Sequence, residues 1–133
     1  MKICLMVAGN WIGGGVKMPV RLASHLAARH DVTLMYPIVK HYTTSHRLPK
    51  TSLWSKLTYI TRELQSYKSR FVFQDDLDPK VKLETYFLVP SEEALRRFDV
   101  LIYQSPWQYH EIKSLSLAST RKIHWVLADH LFA

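Results

Sequence analysis

The opening of the chain constrains its fold most. Lys2 to Val7 reads KICLMV, a nearly continuous apolar run, and Gly13-Gly14-Gly15 follows within a few residues. An apolar run without alternation suits a strand covered on both faces, as in a parallel sheet. The three glycines suit a tight strand-to-helix turn. Val16, Val20, Ala23 and Ala27, with Pro19 and Leu26 beside them, then recur at helical spacing and predict a helix over 16–29. Pro19 is expected within the first turn of that helix, where its missing N–H takes away no intrahelical bond. Arg29 and His30 place positive charge at the helix end, and Asp31 to Tyr36 (DVTLMY) predicts a second strand that Pro37 ends.

The same alternation continues. Leu53, Leu57, Ile60, Leu64 and Tyr67 follow the spacing of an amphipathic helix. Phe71 to Phe73 is expected as a short strand, with a turn over Asp75 to Pro79. Leu83 to Val89 (LETYFLV) predicts a strand stopped by Pro90, and Ser91 is placed as the N-cap of a helix through Arg97. Asp99 to Tyr103 predicts a strand, Trp107 to Ala118 a helix, and Lys122 to Leu127 a last strand, within which His124 is expected as a packed core residue. Strands alternating with helices through short turns imply an α/β fold. The expected architecture is a Rossmann-like, doubly wound parallel sheet in three α/β/α layers, one domain over 1–133.

Composition excludes several classes. Hydrophobic residues at 47% and charged residues at 22% are ordinary for a globular chain and leave no room for a disordered one. No apolar run approaches the roughly 20 residues of a membrane-spanning helix. The apolar stretch Ile3 to Ala8 runs into glycines, not a cleavage site, so it does not resemble a signal peptide. Cys4, the single cysteine, has no internal disulfide partner and falls in the first strand, where a reduced core thiol is expected. A cytoplasmic location fits these features, with the inner face of the membrane as a peripheral extension.

Charge is unevenly spread. Between Lys40 and Arg70 seven lysines and arginines face a single acid, Glu63, so this stretch carries +6 of the net +7. Such concentration points either to an anionic partner or to a solvated basic face. For Trp54 to Arg70 the first expectation is that the apolar stripe packs on the sheet. The alternative lays residues 50–70 on an anionic membrane. No nucleic-acid motif accompanies the basic residues, and no nucleic-acid partner is expected.

Ligands in a doubly wound sheet bind beyond the carboxyl ends of the strands. That rule selects Asn10 to Gly15, Pro37 to His41, Pro90-Ser91, Gln104 to Trp107, and Asp129-His130. Gly9-Asn10-Trp11-Ile12-Gly13-Gly14-Gly15 matches a G-x-x-x-G-x-G spacing found in short-chain dehydrogenases. A dinucleotide site also wants an acid near the end of the second strand, for the ribose hydroxyls. This chain has Met35-Tyr36-Pro37 there, and no Asp or Glu follows before Glu63. A Tyr-x-x-x-Lys spacing at Tyr36 to Lys40 comes too early in the chain for the catalytic pair of that family. An NAD(P)-dependent oxidoreductase is thus the weaker alternative, beside a non-catalytic basic binding module. The seven histidines are scattered, with no ligand pair on one helix, and no metal is expected.

MKICLMV, the glycine loop, and GGGVKMPVRLASHLAARHDVTLMYP together resemble the opening of family 4 glycosyltransferases of the GT-B fold. FDVLIYQSPW is similar to their Asp-Val-Ile strand with a polar tip, and IHWVLADH to the strand that ends in their His-acid site. The resemblance implies transfer of a sugar from a nucleotide-diphosphate sugar, a substrate rather than a cofactor, to a saccharide or lipid-linked acceptor. It places Gly13, Gly14 and Gly15 against the donor diphosphate and acceptor, with Gln104, Ser105 and Trp107 at the same cleft. It places Asp129 and His130 as the catalytic pair, in the reverse order to the family's. Asp129 as a helix cap is the plain alternative. The resemblance also implies a second, C-terminal donor-binding domain with a Glu-x7-Glu pair, which these 133 residues do not contain. The chain is therefore expected to be an N-terminal fragment that does not transfer sugar alone.

Overall fold

The structure, a computed structural model, describes residues 1–10, 14–39, 53–65, 70–87 and 89–125. Five strands, β1 (Lys2–Met6), β2 (Asp31–Pro37), β3 (Lys82–Tyr86), β4 (Val100–Tyr103) and β5 (Arg121–His124), form one sheet. Every pairing is parallel, in the order β3-β2-β1-β4-β5. The helices are α1 (Gly14–Leu26), α2 (Leu53–Gln65), α3 (Glu92–Leu95) and α4 (Pro106–Lys113), with a 3-10 turn over Gln74–Asp76. This is the expected α/β Rossmann-like arrangement.

β1 is the central strand, paired to β2 through Ile3↔Val32 and to β4 through Ile3↔Val100. Its alternation divides the core into two layers. Ile3, Leu5 and Val7 join Val32, Leu34 and Tyr36 on one face, under Val16, Val20, Ala23 and Ala27 of the first helical segment. Cys4 and Met6 join Met35, Leu101 and Tyr103 on the other, against Leu95, Phe98, Ile112 and Leu117. Both faces of β1 are thus apolar because both are covered. Burial, reinforced by nearby Glu84, pushes the Cys4 thiol well above its ordinary range, and it stays a protonated core group.

Caps and ties act where the chain enters and leaves the sheet. Ser91 Oγ accepts the Ala94 N–H at 3.1 Å, the N-cap of α3. Lys122 Nζ donates to the Ile112 and Leu115 carbonyls at 3.3 and 2.9 Å, satisfying the end of α4 with a positive charge. At the amino end of the sheet, Asp99 Oδ2 accepts the Lys2 N–H at 2.7 Å.

Four expectations need correction. Phe71 to Phe73 is not a strand: it is a turn leading into Gln74–Asp76, with Phe71 stacked on Tyr36 at 5.1 Å and edge-on to Phe73. The two phenylalanines alternate because both face the sheet from above, not because they lie in it. His124 is not a packed core residue. It is exposed on β5, the outermost strand, between the rings of Tyr103 and Tyr109 at 5.2 and 5.6 Å. The apolar stripe of α2 is not packed on the sheet at Leu53, Leu57 and Leu64, which are exposed, and among the described residues no α2 side chain enters either core layer. Pro19 does remove an intrahelical bond, because α1 opens at Gly14 and carries the proline inside it.

Candidate functional site

The strand order reverses direction between β1 and β4, and the crevice at their carboxyl ends is the topological switch point. Three groups converge there. After β1, Val7 to Asn10 leads toward the glycine turn. α1 points its amino end, Gly14-Gly15, into the crevice. Gln104 follows β4 directly and reaches across to the Gly15 carbonyl, to which its Nε2 donates a hydrogen bond.

That bond has a specific cause. In an α-helix the Gly15 carbonyl would accept the N–H of residue 19, but residue 19 is proline and has none. The proline ring also crowds the carbonyl four residues earlier and tilts it outward. Gln104 supplies the missing donor from outside the helix. The sequence pair Gly15 and Pro19 therefore leaves an acceptor at the switch point, and the residue after β4 fills it. Gln104→Ala is expected to cost about 1 kcal/mol. In a Pro19→Ala background, where residue 19 donates again, the same change should cost almost nothing. A double-mutant cycle in urea reads this as a coupling of about 1 kcal/mol, and additive losses would contradict it.

The other amide atom of Gln104 is different. Its Oε1 is buried and accepts no hydrogen bond among the described residues. Beside it lies a notch of about 150 Å³, bordered by Leu5, Pro19, Ile102, Tyr103, Gln104 and Trp125. It admits no water-sized sphere, so it is a shallow gap in the packing and not a ligand pocket.

Two further residues shape the crevice: Asn10, which opens a segment selected from the sequence, and Gln108, which lies just past one. Asn10 clamps the covering turn: its Nδ2 donates to the Arg70 carbonyl at 2.8 Å and its Oδ1 accepts the Val72 N–H at 2.7 Å. Gln108, fully buried, donates from Nε2 to the Val7 carbonyl at 2.9 Å and accepts the Ser105 N–H at 3.4 Å. The spacing Ser105-x-x-Gln108 is a capping-box pattern and was available in the sequence. Asn10 carries no comparable signal, because its partners lie 60 and 62 residues away. The crevice is backed by Tyr86, whose phenol burial pushes far above its ordinary range and which shares a 3.5 Å contact with Gln108 Nε2.

The candidate residues thus separate. Gln104 and Gly15 are brought together, and Gly14 is beside them as the first residue of α1. Ser105 is buried as the residue preceding α4, where its backbone serves Gln108. Trp107 lies in the first turn of α4. Gly13, Asp129 and His130 lie outside the described residues. His124 Nε2 lies 3.2 Å from the Gln104 carbonyl oxygen, which fixes the backbone at the tip of β4. At the end of β2, Tyr36, Pro37 and Val39 are all buried, and the described residues at its tip, 36–39, include no carboxylate.

Among the described residues no three or more His, Cys, Asp or Glu side chains group as a metal site. No helix among them is long and apolar enough to cross a membrane. Comparison with protein-family models, with curated proteins and with solved structures found no match.

Proposed function

We propose that this chain is the acceptor-side domain of a GT-B-type glycosyltransferase that uses a nucleotide-sugar donor. The observation that carries the reading is the switch point itself, where glycine-opened α1 meets Gln104 and its unfilled amide oxygen. Sugars present many hydroxyl donors, and a buried acceptor beside the crevice suits one of them. The amino end of α1 bears partial positive charge and free N–H groups, which suit a diphosphate.

The reaction is displacement at the anomeric carbon. The acceptor oxygen forms the new C–O bond, the bond to the diphosphate oxygen breaks, and the acceptor hydroxyl gives up its proton. Negative charge grows on the departing diphosphate, and the start of α1 at Gly14 and Gly15 stabilises it where it develops. Gln104 orients a sugar hydroxyl. The resemblance adds Gly13 and Trp107 to the cleft and Asp129 and His130 to the catalytic pair. The same resemblance assigns the nucleotide to a second Rossmann domain.

The apolar end of β2 weighs against nicotinamide chemistry, since it offers nothing to the ribose hydroxyls. Thermal denaturation of the chain with UDP-, GDP- and ADP-sugars, the free nucleoside diphosphates, and NADH tests the choice. One nucleotide series is expected to raise the midpoint while NADH leaves it unchanged. Stabilisation by NADH alone would replace this reading with the oxidoreductase.

A further inference from the structure

We propose that the outer face of α1 holds a linear anionic glycan, and that the acceptor is therefore a sugar chain bearing carboxylate or other acidic groups. The inference rests on the sugar-transfer reading and names its acceptor class.

Lys17, Arg21 and His25 recur at every fourth residue of α1, and Arg29 continues the row in the turn that follows. Residues four apart are neighbours on a helix surface, so the four side chains form one row about 18 Å long. All four are exposed, while Val16, Val20, Ala23 and Ala27 bury the opposite side. From Gly14 to His30 the chain contains no acid. Among the described residues none of the four forms an ion pair. Two acids near α1 are engaged elsewhere. Asp31 Oδ1 lies 3.1 Å from Lys82 Nζ. Asp78, whose N–H donates to Ser24 Oγ at 3.0 Å, accepts the Lys80 N–H on Oδ1 at 2.8 Å.

The row is unfavourable until an anion meets it. Lys17 and Arg21 repel each other across one turn, and Lys17 also opposes the positive end of the helix dipole. A polyanion relieves both. Arg21 and Arg29 offer planar forks that suit carboxylates, and His25 adds a ring nitrogen between them.

The other residues of this face select the occupant. A bilayer or a protein surface needs apolar anchors, and among the described residues of α1 only Met18 is a large exposed apolar side chain. A single-stranded nucleic acid needs rings on which to stack its bases, and α1 has no Phe, Tyr or Trp. A row one cation wide suits one thin chain of polar, acidic units. By helical register Gly14 precedes Arg21 by seven residues and shares its face, so the row leads to the amino end of α1. A glycan lying along it ends at the crevice, where Gln104 meets Gly15.

The test titrates a short oligogalacturonate into the ¹⁵N-labelled chain and an Arg21→Gln/Arg29→Gln variant, with a maltooligosaccharide of equal length as the neutral control. Oligogalacturonate is expected to shift the amides of Lys17, Arg21, His25 and Arg29 and to bind more weakly as salt rises. It should bind the variant about tenfold more weakly. The neutral chain should cause no such shifts. The variant should keep or raise the denaturation midpoint, since it removes repulsion at exposed positions. No binding at low salt, or binding that the folded variant retains in full, would overturn the proposal. Shifts of Gly14 and Gly15 by a nucleoside diphosphate in the same samples would then show that the sugar-transfer reading stands without it. Glycan shifts along the row with no response to any nucleotide would remove that reading and the acceptor role with it. Duplex DNA that binds more tightly than oligogalacturonate, and loses that binding in the variant, would replace the glycan with a nucleic acid.

Discussion

Phe71→Ala is expected to lower the unfolding free energy by about 3–5 kcal/mol, one of the two largest losses from a single change in this chain. Phe71 is 1% exposed and is among the largest fully buried side chains. Its ring stacks on Tyr36, touches Phe73 edge-on, and covers the end of β2. Removing it leaves a cavity under a turn that has little regular structure of its own. The turn is also held by Asn10, so its collapse should reach the loop before α1. A shift of the urea midpoint at unchanged slope measures the effect. A loss below about 1 kcal/mol would show that the aromatic turn is not part of the core.

Gln108→Ala should follow at about 2–4 kcal/mol, for a different reason. The side chain contributes little apolar area. It occupies an interior position where the Val7 carbonyl and the Ser105 N–H both need a partner. Alanine strands both and adds a cavity. Gln108→Leu restores most of the volume but not the hydrogen bonds, and should still cost about 1–3 kcal/mol. If the leucine variant were as stable as the wild type, packing would account for the position and the amide ties would not.

These two residues show where sequence and structure part. The centre of the sheet was legible because β1 and β2 are covered on both faces and so are nearly apolar throughout, as in KICLMV and DVTLMY. The stripe of α1 was legible for the same reason, since Val16, Val20, Ala23 and Ala27 all reach the core. Phe71 and Phe73 mislead because alternation records which residues face an apolar surface, and a turn lying on a sheet satisfies it as well as a strand does. The α2 stripe misleads in the opposite sense. Helical periodicity reveals that a face is apolar but not what covers it.

At the site, the glycines mark the switch point, and the position after β4 marks Gln104, from strand order alone. What joins them was hidden by one register detail. With the helix starting at Gly14, Pro19 falls four residues after Gly15 instead of in a turn where its lost N–H is harmless. The Gln104 bond then follows from the lost donor. His124 shows the limit of reading by strand: apolar neighbours suggested burial, but position at the edge of the sheet decides exposure.

Amide NMR during titration tests directly the proposal that a sugar nucleotide binds at the switch point. The probe is the ¹⁵N-labelled chain with the free nucleoside diphosphate and the corresponding sugar nucleotide. Saturable shifts are expected at Gly14 and Gly15 and at the Gln104 side-chain amide, with weak affinity near about 1 mM. The Gln104 side-chain signals should respond to the sugar nucleotide more than to the diphosphate alone. Shifts confined to other surfaces, or none at saturating ligand, would contradict the assignment.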